Sequence, residues 1–193
     1  MRRAEIQRNT KETKIQLTLN LDGKEEGGID TGIGFFDHML NSFAVHSGFG
    51  LSVKCEGDLE VDDHHSIEDV GIVLGQAFAK LTEDKTGLAR YGSAIIPLDE
   101  ALTLCAVDIS NRPYLVFDGK FEFDLMGDME TQMVKEFFYA FAIQAKVTLH
   151  IRLLSGENDH HKAESMFKAF AHAMKAAVKK NAEGELLSSK GLL

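Results

Sequence analysis

The sequence lacks tryptophan and contains only two prolines and two cysteines among its 193 residues. Two cysteines are too few for a disulfide scaffold, and both Cys55 and Cys105 stand in apolar, strand-like surroundings. We therefore expect buried free thiols and a reducing compartment. No apolar run approaches the length of a membrane-spanning helix, and the basic start lacks the apolar segment of a signal peptide. These absences predict a cytoplasmic protein without a membrane partner.

Positive charge is also scarce, with 21 Lys and Arg against 30 Asp and Glu and a net charge of −9. This deficit argues against a nucleic-acid partner, because such proteins neutralise phosphates with an excess of Lys and Arg. It does not argue against a small anionic ligand held by a few local cations. A hydrophobic content of 44% favours an ordered globular chain.

The spacing of apolar residues predicts both helices and strands. Alternation at Ile15, Leu17 and Leu19 indicates a strand that ends in a hairpin-type turn at Asp22-Gly23. Further strands are predicted at 51–55, 93–108, 112–123 and 146–154, and helices at 36–48, about 64–81, 131–145 and 163–180.

An adjacent histidine pair occurs twice, at "VDDHHSIEDV" (61–70) and "ENDHHKAESM" (157–166), and the two pairs are 160 − 64 = 96 residues apart. An internal duplication explains this spacing. We expect an α+β fold of duplicated strand–helix units, with two small sheets each covered by helices and pseudo-two-fold symmetry. The prediction is one compact domain over 1–193, with halves at about 1–92 and 93–193.

Each pair suits metal binding. If Asp63 and Asp159 cap their helices, a histidine and a glutamate lie at i and i+4 on one helix face in each half and can close on one divalent ion. The second histidine of each pair points roughly 100° away around the helix and could reach a second ion. The alternative, helix capping or surface hydrogen bonding, is less favoured for two matched copies. The donors suit Mn²⁺, Fe²⁺ or Zn²⁺. The two sets are His64, His65 and Glu68, and His160, His161 and Glu164.

Several longer sequence motifs match those of a known protein family. They are "RNTKET" (8–13), "LNLDG" (19–23), "TGIGFFDHML" (31–40), "DDHHSIEDVGIVLGQA" (62–77), "PLDEAL" (97–102), "TLHIR" (148–152), "HHKAESMFKAFAHA" (160–173) and "SSKG" (188–191). In these motifs and their order the chain resembles the imidazoleglycerol-phosphate dehydratase family of histidine biosynthesis.

The resemblance implies dehydration of D-erythro-imidazole glycerol phosphate to imidazole acetol phosphate. It also implies two Mn²⁺ ions per active site and a large closed homo-oligomer, a 24-mer, in which subunits share sites. The metal ligands carried over from the family are His38, His64, His65, Glu68, His160, His161 and Glu164.

Two positions depart from the family pattern. Glu136 stands where the family commonly has histidine, 136 − 38 = 98 residues after His38, and a carboxylate there suits Mn²⁺. His150 is a second candidate for that role, although an ordinary strand histidine is favoured. Ser42 stands where many relatives have glutamine, which affects hydrogen bonding near the substrate.

The implied reaction removes a proton that no carbonyl acidifies, so the imidazole ring must accept the electrons. Two cations on its nitrogens would allow a metal-bound imidazolate to expel the neighbouring hydroxyl. By resemblance, Glu12 is the candidate general base, and His46 would protonate or orient a hydroxyl.

Binding a phosphate group requires local cations, even in a chain with a net negative charge. Arg90, Arg112 and Lys190, with the hydroxyl of Ser188, fit the family's phosphate-binding positions. A dinuclear metallohydrolase of phosphatase type could use the same metal ligands, but it would release the phosphate. A metal-buffering protein would have no use for the cationic cluster.

Overall fold

The computed structural model describes residues 1–181 and 184–188. Within these residues there are four helices and ten strands, in the order β1-β2-β3-α1-β4-α2, then β5 to β9, α3, β10 and α4. The strands are β1 (Arg3–Asn9), β2 (Thr13–Asn20), β3 (Ile29–Asp30), β4 (Gly50–Gly57), β5 (Tyr91–Leu98), β6 (Ala101–Asp108), β7 (Tyr114–Asp118), β8 (Leu125–Met126), β9 (Met129–Glu130) and β10 (Thr148–Ser155). The helices are α1 (Gly34–Ser47), α2 (His64–Leu81), α3 (Met133–Ala145) and α4 (Asp159–Ala177).

Two four-stranded sheets repeat one strand order. The first sheet runs β1-β2-β4-β3, and the second runs β5-β6-β10-β7. In each sheet the last strand lies parallel to its neighbour, and the other pairs are antiparallel. The α+β class and the duplicated architecture are therefore confirmed. The division of the chain near residues 92 and 93 stays a prediction.

The helices lie between the two sheets. Helix α2 packs on β1 and β2 and also on α3, whereas α4 packs on β5 and β6 and also on α1. Phenylalanine rings fill this layer: the ring centroids of Phe36 and Phe137 are 5.4 Å apart, and those of Phe43 and Phe170 are 5.0 Å apart. All four rings are buried, and each contributes roughly 1.5–3 kcal/mol through the hydrophobic effect. Each half is thus held to the other by its helices.

Some predicted elements differ from the structure. The turn at Asp22-Gly23 does not make a hairpin, because β2 pairs with β1 and β4. The hairpin lies one strand earlier, between β1 and β2, and β1 was missed because its outward positions are charged or polar. The strand predicted at 112–123 ends at Asp118, and 93–108 is a hairpin that turns at Asp99-Glu100. In the described part of the chain, no helix is both long and apolar enough to cross a bilayer.

Helices α2 and α3 approach closely at a glycine. A Cβ atom built on Gly75 would lie 2.7 Å from the carbonyl oxygen of Phe141 and 2.7 Å from Cβ of Gln144. A contact this short with backbone cannot be relieved by a side-chain rotation. The absence of a side chain at Gly75 therefore sets the distance between the two helices.

We expect Gly75→Ala to destabilise the protein by roughly 1–2 kcal/mol, because the steric cost of overpacking exceeds the gain in helix propensity of about 1 kcal/mol. Gly28→Ala is the control, since nothing lies within 4 Å of a Cβ there. It should change stability by less than about 0.5 kcal/mol. Denaturant unfolding measures both. A Gly75→Ala variant as stable as the parent would contradict the packing argument.

Candidate functional site

The two histidine pairs begin helices, and the capping prediction is wrong for Asp159 but gives the correct cap position for Asp63. Helix α4 begins at Asp159, and its cap is Asn158, whose Oδ1 accepts a hydrogen bond from the His161 amide at 3.3 Å. Asp63 stands at the cap position of α2, but its side chain makes no capping hydrogen bond.

These two aspartates instead bind the segment between β7 and α3. Asp63 Oδ2 accepts a hydrogen bond from the backbone amide of Glu130 at 2.7 Å. Asp159 Oδ2 accepts from the amides of Glu122 and Phe123 at 2.8 and 2.9 Å. A third carboxylate, Asp128, accepts from the first amides of α1, Gly34 and Phe35. Long-range hydrogen bonds thus fix where the histidine-bearing helix starts lie.

One cluster of metal-ligating side chains joins α1 to α4. The donor atoms of His38, His160 and Glu164 all lie within 4.8 Å of one another, the one such group of three among the described residues. Glu164 Oε2 is 3.2 Å from Nε2 of His160 and 3.6 Å from Nε2 of His38. Helix α1 of the first half therefore completes the histidine–glutamate pair of the second half.

In the first half, the corresponding histidine–glutamate pair has no third metal-ligating side chain beside it among the described residues. Nε2 of His64 lies 3.7 Å from Oε2 of Glu68, as the i and i+4 spacing predicts. Helix α3, which carries Glu136, packs on α2, and Glu136 is half-buried. Within residues 1–181 and 184–188, the side chain of Glu136 makes no hydrogen bond or ion pair. The structure therefore brings Glu136 onto a helix beside this pair without joining it to them.

The second histidine of each pair is held by a carboxylate. His65 Nδ1 donates to Asp58 at 3.0 Å, and His161 Nδ1 donates to Glu100 at 2.8 Å. These hydrogen bonds raise the pKa of both imidazoles, and the bond to His161 lowers the pKa of Glu100 to about 2. In each ring Nε2 is left facing away from the bonded carboxylate.

Glu12 lies beside the first of these histidines. Its Oε1 is 3.9 Å from His65 Nε2, in the turn between β1 and β2. In the second half, Asp99 occupies the turn between β5 and β6, with Oδ2 3.7 Å from His161 Nε2. The duplication thus places a turn carboxylate near the outer nitrogen of each histidine.

These arrangements fit a divalent cation. The cluster on α1 and α4 offers two imidazole nitrogens and a carboxylate oxygen, a donor set that suits Mn²⁺, Fe²⁺ or Zn²⁺. Metal-binding histidines usually donate their other ring N–H to a carboxylate, as His65 and His161 do. Thiolate ligands play no part, because Cys55 and Cys105 are buried and unpaired, as predicted.

His46 lies two turns beyond His38 on α1. Its ring centroid is 5.4 Å from that of His172 on α4. Burial lowers the pKa of His46, and the charge of Lys168 lowers it further. Ser42, one turn before His46, is buried, and its hydroxyl makes no hydrogen bond within the described structure. The contact between α1 and α4 therefore contains further polar side chains, Ser42, His46 and His172, beyond the His38, His160 and Glu164 cluster.

Arg90 and Arg112, two of the predicted phosphate-binding residues, lie near the opposite end of α4. Arg90 donates through Nε and Nη2 to the carboxylate of Asp108 at 2.7 and 3.1 Å, and through Nη1 to the carbonyl oxygen of Leu187. Arg112 is exposed, with Nη2 3.6 Å from Asp108 Oδ2. Ser188 follows Leu187, and Lys190 lies outside the described residues. Arg90 is thus buried and committed to an ion pair, whereas Arg112 presents its guanidinium to solvent.

The comparisons with known proteins decide the family. The family model described as "Imidazoleglycerol-phosphate dehydratase" matches residues 31–174. The chain belongs to this family. A relative named imidazoleglycerol-phosphate dehydratase from Caldicellulosiruptor saccharolyticus is 56% identical over 190 residues, covering 98% of this chain and 97% of the relative. Another of that name, from Clostridioides difficile, is 54% identical over 193 residues, with both chains covered in full.

Family structures also match the fold. The crystal structure of the dehydratase from Staphylococcus aureus superposes with a TM-score of 0.85 at 40% identity, covering 93% of this chain and 99% of that one. An IGPD from Pyrococcus furiosus, crystallised in complex with (S)-C348, gives a TM-score of 0.85 at 37% identity, covering 97% and 100%. The family resemblance drawn from the motifs is confirmed.

Sequence reasoning missed the residues that hold the histidines and their neighbours. Asp58, Asp99 and Glu100 contact the second histidine of each pair, and Lys168 donates to Glu164 with an N–O distance of 2.8 Å. The "PLDEAL" motif contains two of them, so its paired carboxylates were the available signal. His150, the alternative donor, lies on β10 between the buried Leu149 and Ile151 and faces away from the helices.

The pair of Asp58 and His65 makes stability depend on pH in metal-free protein. Asp58 chiefly raises the pKa of His65, with smaller effects from Glu12 and Asp62. The resulting stabilisation is fully present below the ordinary histidine pKa of about 6.5 and is lost as pH rises through the raised value. After chelation, Asp58→Asn should therefore lower the Tm at pH 6 and much less at pH 9. Equal losses at both pH values in thermal scans would contradict the ion pair.

Proposed function

We propose that this protein is a hydro-lyase that dehydrates imidazole glycerol phosphate to imidazole acetol phosphate in cytoplasmic histidine biosynthesis. Family membership over nearly the whole chain supports the reaction. The observation that carries the proposal is the convergence of His38, His160 and Glu164 from two helices of different halves. A protein that only needed helix capping would have no reason to bring these side chains together.

Two Mn²⁺ ions are proposed as the cofactor of each site. When bound, they would supply positive charge at the two imidazole nitrogens of the substrate and so make the ring an electron acceptor. The outward Nε2 atoms of His65 and His161 complete the donors that the two halves offer. The residues proposed to hold the ions are His38, His64, His65, Glu68, Glu136, His160, His161 and Glu164.

Two side chains are proposed to move protons. Glu12 is exposed and lies beside His65, so its carboxylate can reach a substrate held there and take the proton from carbon. Burial and the charge of Lys168 lower the pKa of His46, which favours its neutral form. A neutral imidazole can accept a hydrogen bond from a substrate hydroxyl or donate one to it, which suits an orienting role.

Arg90, one of the proposed phosphate-binding residues, lies far from the metal residues of the same chain. The amide of Arg90 donates to the carbonyl oxygen of Ala177, near the last turn of α4, whereas His160 is in the first turn. The 17 residues between positions 160 and 177 span roughly 26 Å of helix. A small phosphate ester is much shorter than this distance. We therefore propose that Arg112, Ser188 and Lys190 serve metal residues of another subunit, with Arg90 supporting Arg112 through Asp108, within a closed assembly such as a 24-mer.

The decisive experiment is an assay of imidazole glycerol phosphate with chelator-stripped protein, with and without added Mn²⁺. We expect imidazole acetol phosphate to form only with the metal, and no inorganic phosphate to appear. Release of phosphate would instead indicate the phosphatase alternative. No turnover with any of Mn²⁺, Fe²⁺ or Zn²⁺ would contradict the proposed reaction.

Glu12→Gln should lower kcat by about 10²- to 10⁴-fold, because the amide cannot accept the proton. Bound manganese should stay unchanged, since Glu12 is not proposed as a ligand. Lys11→Gln in the same exposed turn is the matched control and should retain full turnover. Survival of Glu12→Gln activity within a few-fold of the parent would exclude it as the base.

Glu136→Ala should remove about one manganese ion per chain or weaken its binding markedly, because the carboxylate is proposed as a ligand. Glu136→His should restore binding, since imidazole is the commoner donor at this place in the family. The neighbouring exposed Lys135→Ala is the control and should bind metal normally. Elemental analysis of all three variants checks this. Full metal content in Glu136→Ala would show that Glu136 is not a ligand.

A further inference from the structure

The turn that carries Glu12 is held through its backbone and not through the Glu12 side chain. The amide of Glu12 donates to Oγ1 of Thr10 at 3.1 Å, and the amide of Asp58 donates to the carbonyl oxygen of Glu12 at 3.1 Å. Among residues 1–181 and 184–188, the Glu12 carboxylate accepts no hydrogen bond, and its distance to Nε2 of His65 is 3.9 Å. A general base must keep its oxygens available to the substrate, so other residues have to set its position.

One carboxylate, that of Asp69 on α2, binds both strands that meet at this turn. Its Oδ2 accepts from Oγ1 of Thr13, the first residue of β2, at 2.5 Å and from Nη1 of Arg8 in β1 at 3.0 Å. Asp69 and Thr13 are both buried. The amide of Thr13 donates to Oγ1 of Thr10 at 2.9 Å, and this is the same oxygen that accepts from the amide of Glu12. A chain of hydrogen bonds therefore joins α2 to the backbone of Glu12.

The duplication shows that the fold does not require a charged contact at this place. The three residues that make it have uncharged counterparts in the second half. By strand register and helix position, the matching pairs are Arg8 and Ile96, Thr13 and Ala101, and Asp69 and Ser165. Ser165 shares a neutral hydrogen bond with Thr103 of β6 instead, at 2.7 Å between the hydroxyl oxygens. Since a buried carboxylate is costly unless its partners compensate for it, packing alone does not explain Asp69.

The two turns also differ in what holds their glutamates. Glu100 immediately precedes β6, as Glu12 immediately precedes β2. Glu100 is held through its own carboxylate: Oε2 accepts from Nδ1 of His161, and Oε1 accepts from the amides of Glu157 and Asn158. Both oxygens of Glu100 are thus occupied, whereas those of Glu12 are not. The carboxylate beneath the turn occurs in the half whose glutamate has to stay available.

We propose that Asp69 is a positioning residue, which fixes the turn through Thr13 so that the Glu12 carboxylate is held at the substrate. This role rests on the proposed function, in which Glu12 is the general base. Asp69 directly follows Glu68, a proposed metal ligand, on α2. One helix therefore sets both the metal residues and the base. Such control matters because a misplacement of about 1 Å can lower the rate of a reaction by roughly 10²-fold.

Removal of the Thr13 hydroxyl breaks this link and keeps the ion pair of Asp69 with Arg8. We expect Thr13→Val to lower kcat by roughly 10- to 100-fold, with little change in KM or in bound manganese. Thr103→Val is the matched control, because it removes a buried hydroxyl that bonds to a helix in the other half. This control should retain the parent kcat. A Thr13→Val enzyme with the parent kcat would overturn the proposal.

The loss has to pass through Glu12. In a Glu12→Gln background, Thr13→Val should therefore cause no further loss of kcat, because residues that act as a unit are not additive. A purely structural defect would lower kcat equally in both backgrounds. Equal losses would thus overturn the proposal.

A second variant guards against a folding defect. Arg8→Ile combined with Asp69→Ser gives these positions the uncharged residue types that the second half already packs. This variant should fold, as judged by circular dichroism. It should also lose kcat as Thr13→Val does, again without further loss in the Glu12→Gln background. The parent kcat in this folded variant would contradict the role of Asp69.

Hydrogen exchange separates this proposal from the proposed function. The amides of Thr10, Glu12 and Thr13 all donate within the turn. We expect them to exchange roughly threefold faster or more in Thr13→Val than in the parent. Faster exchange in a protein that does not turn over imidazole glycerol phosphate would leave the link from Asp69 to the turn standing and contradict the reaction. Unchanged exchange together with normal turnover by the parent would do the reverse.

Discussion

The packing of helices across the two halves is the constraint on which the rest of the structure depends. Helix α1 packs on α4 and α2 packs on α3, so each half finds its helical partner in the other. Buried phenylalanines and the close approach at Gly75 fix these contacts. The same contacts carry His38 to His160 and Glu164. The core that stabilises the fold thus also assembles the candidate metal cluster.

Carboxylates then refine the position of each functional side chain. Asp63 and Asp159 bind the segment between β7 and α3, so the starts of α2 and α4 are held from outside the helices. Asp58 and Glu100 orient the imidazoles of His65 and His161. Such bonds to a charged acceptor are among the stronger hydrogen bonds in proteins. The acidic composition is therefore partly a requirement of the site.

The duplicated halves have diverged where they face outward. Their inner faces keep the same apolar alternation, because both must pack on helices. Their outer faces differ in every hairpin row, and Arg90 and Arg112 lie beside Asp108 of the second sheet. Within one chain, most of the length of α4 separates Arg90 from His160. This separation is the observation that supports the proposed sharing of a site between copies.

The local sequence pattern was enough to predict the fold class, the helices and the family. Alternation and helical periodicity predicted the α+β class and the four helices, the histidine spacing predicted the duplication, and the long motifs predicted the family. Tertiary structure decided what lies far apart in sequence. His38 pairs with residues of the second half, more than a hundred positions away. The ion pair of Arg90 joins two strands' ends 18 residues apart. Asn158 replaces Asp159 as the cap because the Asp159 carboxylate binds the amides of Glu122 and Phe123 instead. Periodicity reports which face of an element is buried, but it carries no information about which distant side chain will meet it.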